Sequence, residues 1–391
     1  MAARAKRIAF VSDSIYPFNP GGKEKRLHEI TTRLARLGFE VDIYTMKWWS
    51  GPSSIRIDGV GIHALTPKLS LYHDDRRSML QAIVFGVGTL RLMFRRFDVL
   101  DVDQMPLFPL FSARIVATLR RRRLVSTWHE VWGRNYWAAY LRRGSRLAWL
   151  TERYAAVMPD EFVSVSEQTS RALRRELGVG KPIWTVPLGV DLDALREIPP
   201  SAERIDVLYA GRLLANKGVD MLLDAISRMV VSRPGVRGVV VGEGPERARL
   251  EALAAELGIA GNVRFSNFLP HREVYGLMKA ATVFALPSVR EGFGLVVLEA
   301  NACDTPVVTV EHPDNAARHL IEDGANGYVC ALDPDSLAAA MLRVLDRPGT
   351  FRPADVIARR PGVDWGSVSA RVGEVLVGSP AQAGPNGRQE P

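Results

Sequence analysis

Short apolar runs alternate with longer amphipathic stretches over nearly the whole chain, and this alternation restricts the fold more than any other feature. Arg7 to Ser12 reads as a buried strand, followed by a Pro- and Gly-rich loop from Asp13 to Gly22. An amphipathic helix follows, with Leu27, Ile30, Leu34 and Leu37 on one face and Gly38 at its end. Further strands are expected at Val41–Thr45, Val99–Val102, Leu124–Thr127 and Phe162–Ser166. A second series runs strand Val207–Tyr209, helix Val219–Val231, strand Gly238–Val241, helix Glu246–Leu257, strand Val263–Phe265 and helix Arg272–Ala280. Strands that alternate with helices must pair in parallel and be covered by those helices, so the expected class is α/β. With 391 residues there is room for two such units. The Pro- and Gly-rich stretch from Trp184 to Ser201 reads as the joint between them. The expected division is 1–185, a linker 186–203, a second unit 204–364, a helix 365–378 returning to the first unit, and a disordered tail 379–391 that lacks large apolar residues.

Charge is spread unevenly. Residues 1–190 hold thirty basic and seventeen acidic residues, a balance of +13, while the remainder stands at −5. The excess is clustered at Arg76–Arg77, Arg95–Arg96, Arg120 to Arg123, and Arg142, Arg143 and Arg146, which favours an anionic partner on the first unit. A membrane surface or a phosphorylated lipid fits better than nucleic acid, for which no reading motif is present. Cys303 and Cys330 give neither a disulfide framework nor metal-ligand spacing. No apolar segment reaches the length of a membrane span, and the first residues lead into a strand without a signal-peptide core. A cytoplasmic protein is expected, with the inner face of a membrane as a possible site of peripheral association.

Chemistry concentrates in residues 284–310. An apolar strand stops at Pro287; a polar loop then carries Glu291 and Gly292-Phe293-Gly294, and a helix runs from Leu295 to about Ala302 with Glu299 inside it. Gly294 allows close backbone approach to a ligand, and the helix start offers N–H groups that suit a phosphate or hydroxyl. Glu299 stands among Val297, Leu298 and Ala300, where an unpaired carboxylate is costly, so hydroxyl donors should meet it. The bland alternative has Glu291 capping the helix and Glu299 paired with an arginine. Upstream, Tyr209-Ala210-Gly211-Arg212 and Asn216-Lys217-Gly218 present two cations at the end of a strand and before a helix. The helix dipole disfavours a cation there unless an anion binds. Gly21-Gly22 opens the first helix and can set backbone amides against a diphosphate; it is not the G-x-G-x-x-G dinucleotide fingerprint. His129 follows a strand end, with Trp128 and Trp132 nearby. Asp101, Val102, Asp103 and Gln104 end another strand of the first unit and are expected to face the acceptor.

The Glu291–Glu299 spacing, with seven residues between two glutamates in a strand–loop–helix, resembles the retaining family 4 ("group 1") glycosyltransferases. That resemblance implies two Rossmann-like domains facing a cleft, the GT-B architecture. It implies that Glu291 lies at the donor sugar and that Glu299 accepts hydrogen bonds from the ribose. Arg212 and Lys217 would neutralise the departing diphosphate together with the Gly22 and Gly294 backbones, and His129 would stand beside the sugar's outer hydroxyls as a positioning or acid–base residue. Gly21, Leu269, Phe293 and Leu295 would complete the donor side, the backbone at Phe268–His271 meeting the base. The function implied is metal-independent transfer of a hexose from GDP- or UDP-hexose, with no cofactor, to a hydroxyl of a lipid-linked or polysaccharide acceptor of the cell envelope. Two rivals remain open on the residues alone: a sugar-nucleotide epimerase of the same architecture, and a non-catalytic nucleotide-sensing adaptor on anionic membranes.

Overall fold

A computed structural model describes residues 5–19, 21–73, 76–141 and 143–378. The expected tail 379–391 and Arg142 lie outside the described residues, as does the side chain of Arg76. The first sheet is built from β1 (Arg7–Val11), β2 (Glu40–Lys47), β3 (Ser54–Ile57) and β4 (Val60–Pro67). A separate two-stranded ribbon, β5 (Tyr72–His73) and β6 (Arg76–Arg77), precedes its remaining strands β7 (Val99–Asp103), β8 (Arg123–Trp128), β9 (Glu161–Ser164) and β10 (Ile183–Thr185). Their spatial order is β10-β9-β8-β7-β1-β2-β4-β3, parallel except for the β3–β4 hairpin. The second sheet comprises β11 (Ile205–Ala210), β12 (Gly238–Val241), β13 (Val263–Ser266), β14 (Ala281–Leu286), β15 (Val307–Val310) and β16 (Gly327–Cys330). Its order is β13-β12-β11-β14-β15-β16, parallel throughout.

These are doubly wound α/β sheets, and the winding fixes where a ligand can bind. Strand order reverses between β1 and β7 in the first sheet and between β11 and β14 in the second. At such a switch point the loops leave in opposite directions and open a crevice beyond the carboxyl ends of the strands. The apolar runs are long enough to be buried on both faces: β11 is buried along its length, as is β12.

The expected linker is packed rather than loose. Leu188, Val190, Leu195 and Ile198 are buried, a short helix covers Leu192–Arg196 with Asp191 capping it, and Val190 bridges Asp364. The chain then returns: helix Trp365–Val377 packs against helix α1 (Gly22–Arg36), and Arg123 donates to the Val375 carbonyl at 2.5 Å.

Beneath the first switch point lies a buried charged layer. Asp13 accepts from Lys23 (2.7 Å) and Arg77 (2.9 Å); burial alone would raise its carboxyl, but the two cations hold it at about 2. Asp101 behaves in the opposite sense, since burial and neighbouring Asp103 push it up to about 7 against hydrogen bonds from Thr127. The unfolded value is about 4, so the folded chain keeps a proton that the unfolded chain releases. Stability from Asp101 is therefore present below about pH 4 and is lost as pH rises towards 7. Thermal melts of Asp101→Asn should gain on the wild type by a few degrees between about pH 5 and about pH 8. An equal gap at the two pH values would show that Asp101 is ionised in the folded protein throughout.

Candidate active site

Both switch points open on one cavity of about 1040 Å³ between the two sheets. Of the residues singled out in the sequence, Gly21, Gly22, His129, Arg212, Lys217, Leu269, Glu291, Leu295 and Glu299 line it. Two do not. Phe293 packs against the core, and Gly294 is buried behind the wall. Gly294 has φ +90, and a side-chain carbon there would lie 2.4 Å from Ala317 Cβ. Its missing side chain thus serves the entry to helix Leu295–Ala302 against Ala317.

From the second sheet come the cations. Lys217 ends a short 3-10 turn held on the loop that follows β14: Val289 N–H donates to the Asn216 carbonyl at 3.1 Å. Gly218, at φ +65, would clash with the Pro287 carbonyl at 2.4 Å if it carried a side chain. This close approach carries Lys217 Nζ to 2.6 Å from Glu291 Oε1. Glu291 is itself fixed by its backbone, which donates to the Asp314 carbonyl and accepts from Ala316 N–H. Arg212 follows β11, its carbonyl accepting from the buried Tyr209 hydroxyl at 3.0 Å. Across the cleft, a side-chain carbon at Gly21 would stand 3.4 Å from Arg212 Nη2, and one at Gly22 would stand 3.9 Å from Leu295 Cδ2. The N-termini of α1 and helix Leu295–Ala302 therefore face each other with Arg212 beside them, an arrangement that concentrates N–H groups and positive charge where a diphosphate would fit.

From the first sheet comes His129, just past β8. Its Nε2 lies 3.3 Å from Asp103 Oδ1 and its backbone N–H donates to Gln104 at 2.8 Å. Burial would raise the Asp103 carboxyl, yet the hydrogen bond from His129 and the charge of Lys23 hold it below its ordinary value. Trp132, Tyr136 and Tyr140 form an aromatic wall on this side, Trp132 donating to Glu130 at 2.6 Å.

Three features were not foreseen. Glu299 is met not by an arginine but by Lys25 of α1, across the cleft, and by the Tyr275 hydroxyl, which donates to its Oε1 at 2.8 Å. Arg290 crosses in the other direction, donating to Glu130 (2.9 Å) and the Val131 carbonyl (2.5 Å) with its guanidinium 3.9 Å from the centre of the Tyr136 ring. Lys23 and Arg77 both line the cavity on the first-sheet side while anchored to Asp13. The sequence signal for the first two was adjacency, Lys25 in the turn after Gly22 and Arg290 beside Glu291; their partners were not legible. Among the described residues no group of three or more His, Cys, Asp or Glu could hold a metal ion.

Residues 20–194 match the family description "Glycosyltransferase Family 4", and residues 193–357 match "Glycosyl transferases group 1". A "D-inositol 3-phosphate glycosyltransferase" from Thermobispora bispora is 29% identical, with 96% of each chain covered. Among solved structures, a sucrose-phosphate synthase from Thermosynechococcus elongatus superposes with a TM-score of 0.80 at 21% identity, covering 95% of this chain and 98% of that one. The Anabaena protein Alr3699/HepE, solved in complex with UDP-glucose, superposes with a TM-score of 0.74 at 18% identity, covering 95% and 99%. At these identities the two structures speak to the fold, which is the two-domain GT-B fold.

Proposed function

The chain belongs to the group 1, family 4 glycosyltransferases, and on that premise we propose that it is a retaining, metal-independent hexosyltransferase acting on a nucleotide-diphosphate sugar and a lipid-linked or polysaccharide hydroxyl. One observation carries the reading: the cations Arg212 and Lys217, two facing helix N-termini and the carboxylates Glu291 and Glu299 converge on a single cavity at the switch points of both sheets. All of these line the one cavity, and on the family resemblance a donor would lie with its base at Leu269, its ribose at Glu299, its diphosphate between Gly22, Arg212 and Lys217, and its hexose between Glu291 and His129. The UDP-glucose bound by the Anabaena protein makes a UDP-hexose a first donor to try, and GDP-hexoses fit the same groups.

In the transfer step the bond from the anomeric carbon to the β-phosphate oxygen breaks, and the acceptor oxygen bonds to that carbon on the face the phosphate leaves. The acceptor's proton passes to the departing phosphate oxygen. Negative charge grows on that oxygen, and Arg212, Lys217 and the helix amides stabilise it without having to reorganise. His129, its ring orientation set by Asp103, holds the hexose on the opposite side. No cofactor takes part. The inositol 3-phosphate named for the Thermobispora relative supports an acceptor with anionic character, for which Lys23 and Arg77 supply charge on the first-sheet wall. A cytoplasmic site of action follows from the supply of nucleotide sugars and fits two cysteines that form no disulfide. The family found is one of transferases, so an epimerase or a non-catalytic sensor is not favoured.

Thermal-shift titration with nucleoside diphosphates in the presence of a chelator tests the binding half of the reading. One of them should raise the melting temperature strongly, since saturation at 100 times Kd adds about 2.7 kcal/mol. If none does, or only with a divalent ion present, the proposed diphosphate site is wrong.

A further inference from the structure

Helix α2 (Met79–Thr89) and the 3-10 turn that continues it (Leu90–Phe94) expose a second apolar stripe on the side away from the core. Gln81, Phe85, Gly88 and Leu92 face inward and are buried. Leu80, Ile83, Val87, Leu90 and Phe94 recur at spacings of three and four and are open to solvent, with Leu80, Val87 and Phe94 exposed by 67, 62 and 87%. Ile115 and Leu119 of α3 (Phe108–Arg120), which packs beside α2, are likewise exposed. Of the seventeen large apolar side chains exposed among the described residues, only Val231, Phe268 and Leu332 lie beyond residue 160, so the apolar surface belongs to the first domain. A contiguous exposed stripe of this kind marks an interaction surface rather than chance.

The charge around the stripe selects its partner. Neither α2, the 3-10 turn nor α3 contains an Asp or Glu, and Arg95, Arg96 and Arg121 stand exposed at their ends. Much of the basic excess noted in the sequence is, by contrast, committed elsewhere. Arg120 donates to the Met93 and Arg95 carbonyls, Arg122 pairs with Asp98, Arg123 with Glu161 and Arg77 with Asp13. Arg120, Arg122 and Arg123 are therefore engaged within the first domain, and of that run Arg121 is the one offered to an anionic partner.

We propose that the α2–α3 ridge is a docking surface for an anionic lipid bilayer, into whose headgroup region Leu80, Val87 and Phe94 insert while the arginines at the rim meet lipid phosphates. An apolar face on helices without acidic residues, with arginines at their ends, is what an interfacial helix presents to such a surface. The ridge is joined to the cavity: α2 is capped by Ser78, and Arg77 before it lines the cleft with its backbone N–H bonded to the Tyr140 hydroxyl at 2.9 Å. A chain lying on α2 would hold the acceptor side of the cleft at the membrane surface. This purpose rests on the proposed lipid-linked acceptor; the surface itself does not.

Cosedimentation with vesicles tests it. The full chain should pellet with phosphatidylglycerol-containing vesicles more than with phosphatidylcholine alone. The triple variant Leu80→Glu/Val87→Glu/Phe94→Glu should lose this partitioning by roughly tenfold or more, because it removes the buried apolar contribution. Raising salt to about 0.5 M should weaken wild-type binding only in part, since the apolar contacts are not screened. The variant should keep the wild-type thermal shift with nucleoside diphosphate, which shows that it folds and separates this test from that of the donor site. Equal pelleting of variant and wild type, or no wild-type pelleting with anionic vesicles, would overturn the proposal. So would a concentration-dependent dimer without lipid that the triple variant abolishes, because the ridge would then be covered by a second copy of the chain.

Discussion

Replacing Lys217 with alanine is expected to lower kcat by about a hundred- to a thousandfold, the loss typical of one preorganised donor to a developing anion (roughly 2.7–4 kcal/mol). The ammonium is held 2.6 Å from Glu291, at the end of a turn hydrogen-bonded to the signature loop, so its position is set before substrate arrives. Charge on the leaving diphosphate is greater in the transition state than in the bound donor, and a group that answers to that growth shows its loss in kcat more than in KM. Arg212→Ala should behave alike, and the two together should lose less than the product of the single effects because both act on one diphosphate. Steady-state kinetics with the true donor check this. Should Lys217→Ala raise KM and leave kcat unchanged, Lys217 would serve ground-state binding alone.

Glu299→Ala is expected to weaken nucleoside-diphosphate binding by about ten- to a hundredfold, as removal of a charged acceptor shared by two ribose hydroxyls should do. This carboxylate is bonded to Lys25 from the opposite domain and to the Tyr275 hydroxyl. Ribose must then take the place of Lys25, and Lys25→Met should shift affinity the other way, towards tighter binding. Titration calorimetry on both variants, with a 2′-deoxynucleotide as control, separates the possibilities. The deoxy compound should bind weakly to the wild type and be nearly indifferent to Glu299→Ala. If Lys25→Met weakens binding as much as Glu299→Ala does, Lys25 holds the nucleotide and does not compete with it.

Much of this arrangement was legible in the sequence because it is local. The strands that lead into the site are short apolar runs; Arg212, Lys217, Glu291 and His129 stand in the loops that leave strand ends, where an α/β sheet presents its ligands, and Glu299 in the helix that follows one such loop. The β3–β4 hairpin was passed over although Asp58-Gly59, both at positive φ, carries the signal of a tight turn. Strand β10 escaped because it is three residues long, half-buried and at the sheet edge. What local pattern could not give was pairing across the cleft. Lys25 and Glu299 are 274 residues apart, Arg290 and Glu130 are 160 apart, and Arg77 and Asp13 are 64 apart. The first two depend on how the two domains face one another, the third on how the loop after β1 meets the segment before α2, and no short window of sequence contains both partners of any of them. The packing reason for Gly294 was illegible on a related ground, since the atom that a side chain there would meet belongs to Ala317 on a neighbouring turn.

The central claim is that the cleft binds a nucleotide-diphosphate hexose and passes its sugar to a hydroxyl without a metal. Incubating the full chain with GDP- and UDP-hexoses, a chelator and candidate lipid-linked or polymeric hydroxyl acceptors, then resolving the products by mass spectrometry and the anomeric configuration by NMR, tests it most directly. The expected result is release of one nucleoside diphosphate with a new glycosidic bond of the same anomeric configuration as the donor, slowed about a hundred- to a thousandfold in Lys217→Ala. Conversion of the nucleotide sugar to its epimer without acceptor, an inverted product, or turnover that the chelator abolishes and a divalent cation restores would contradict it.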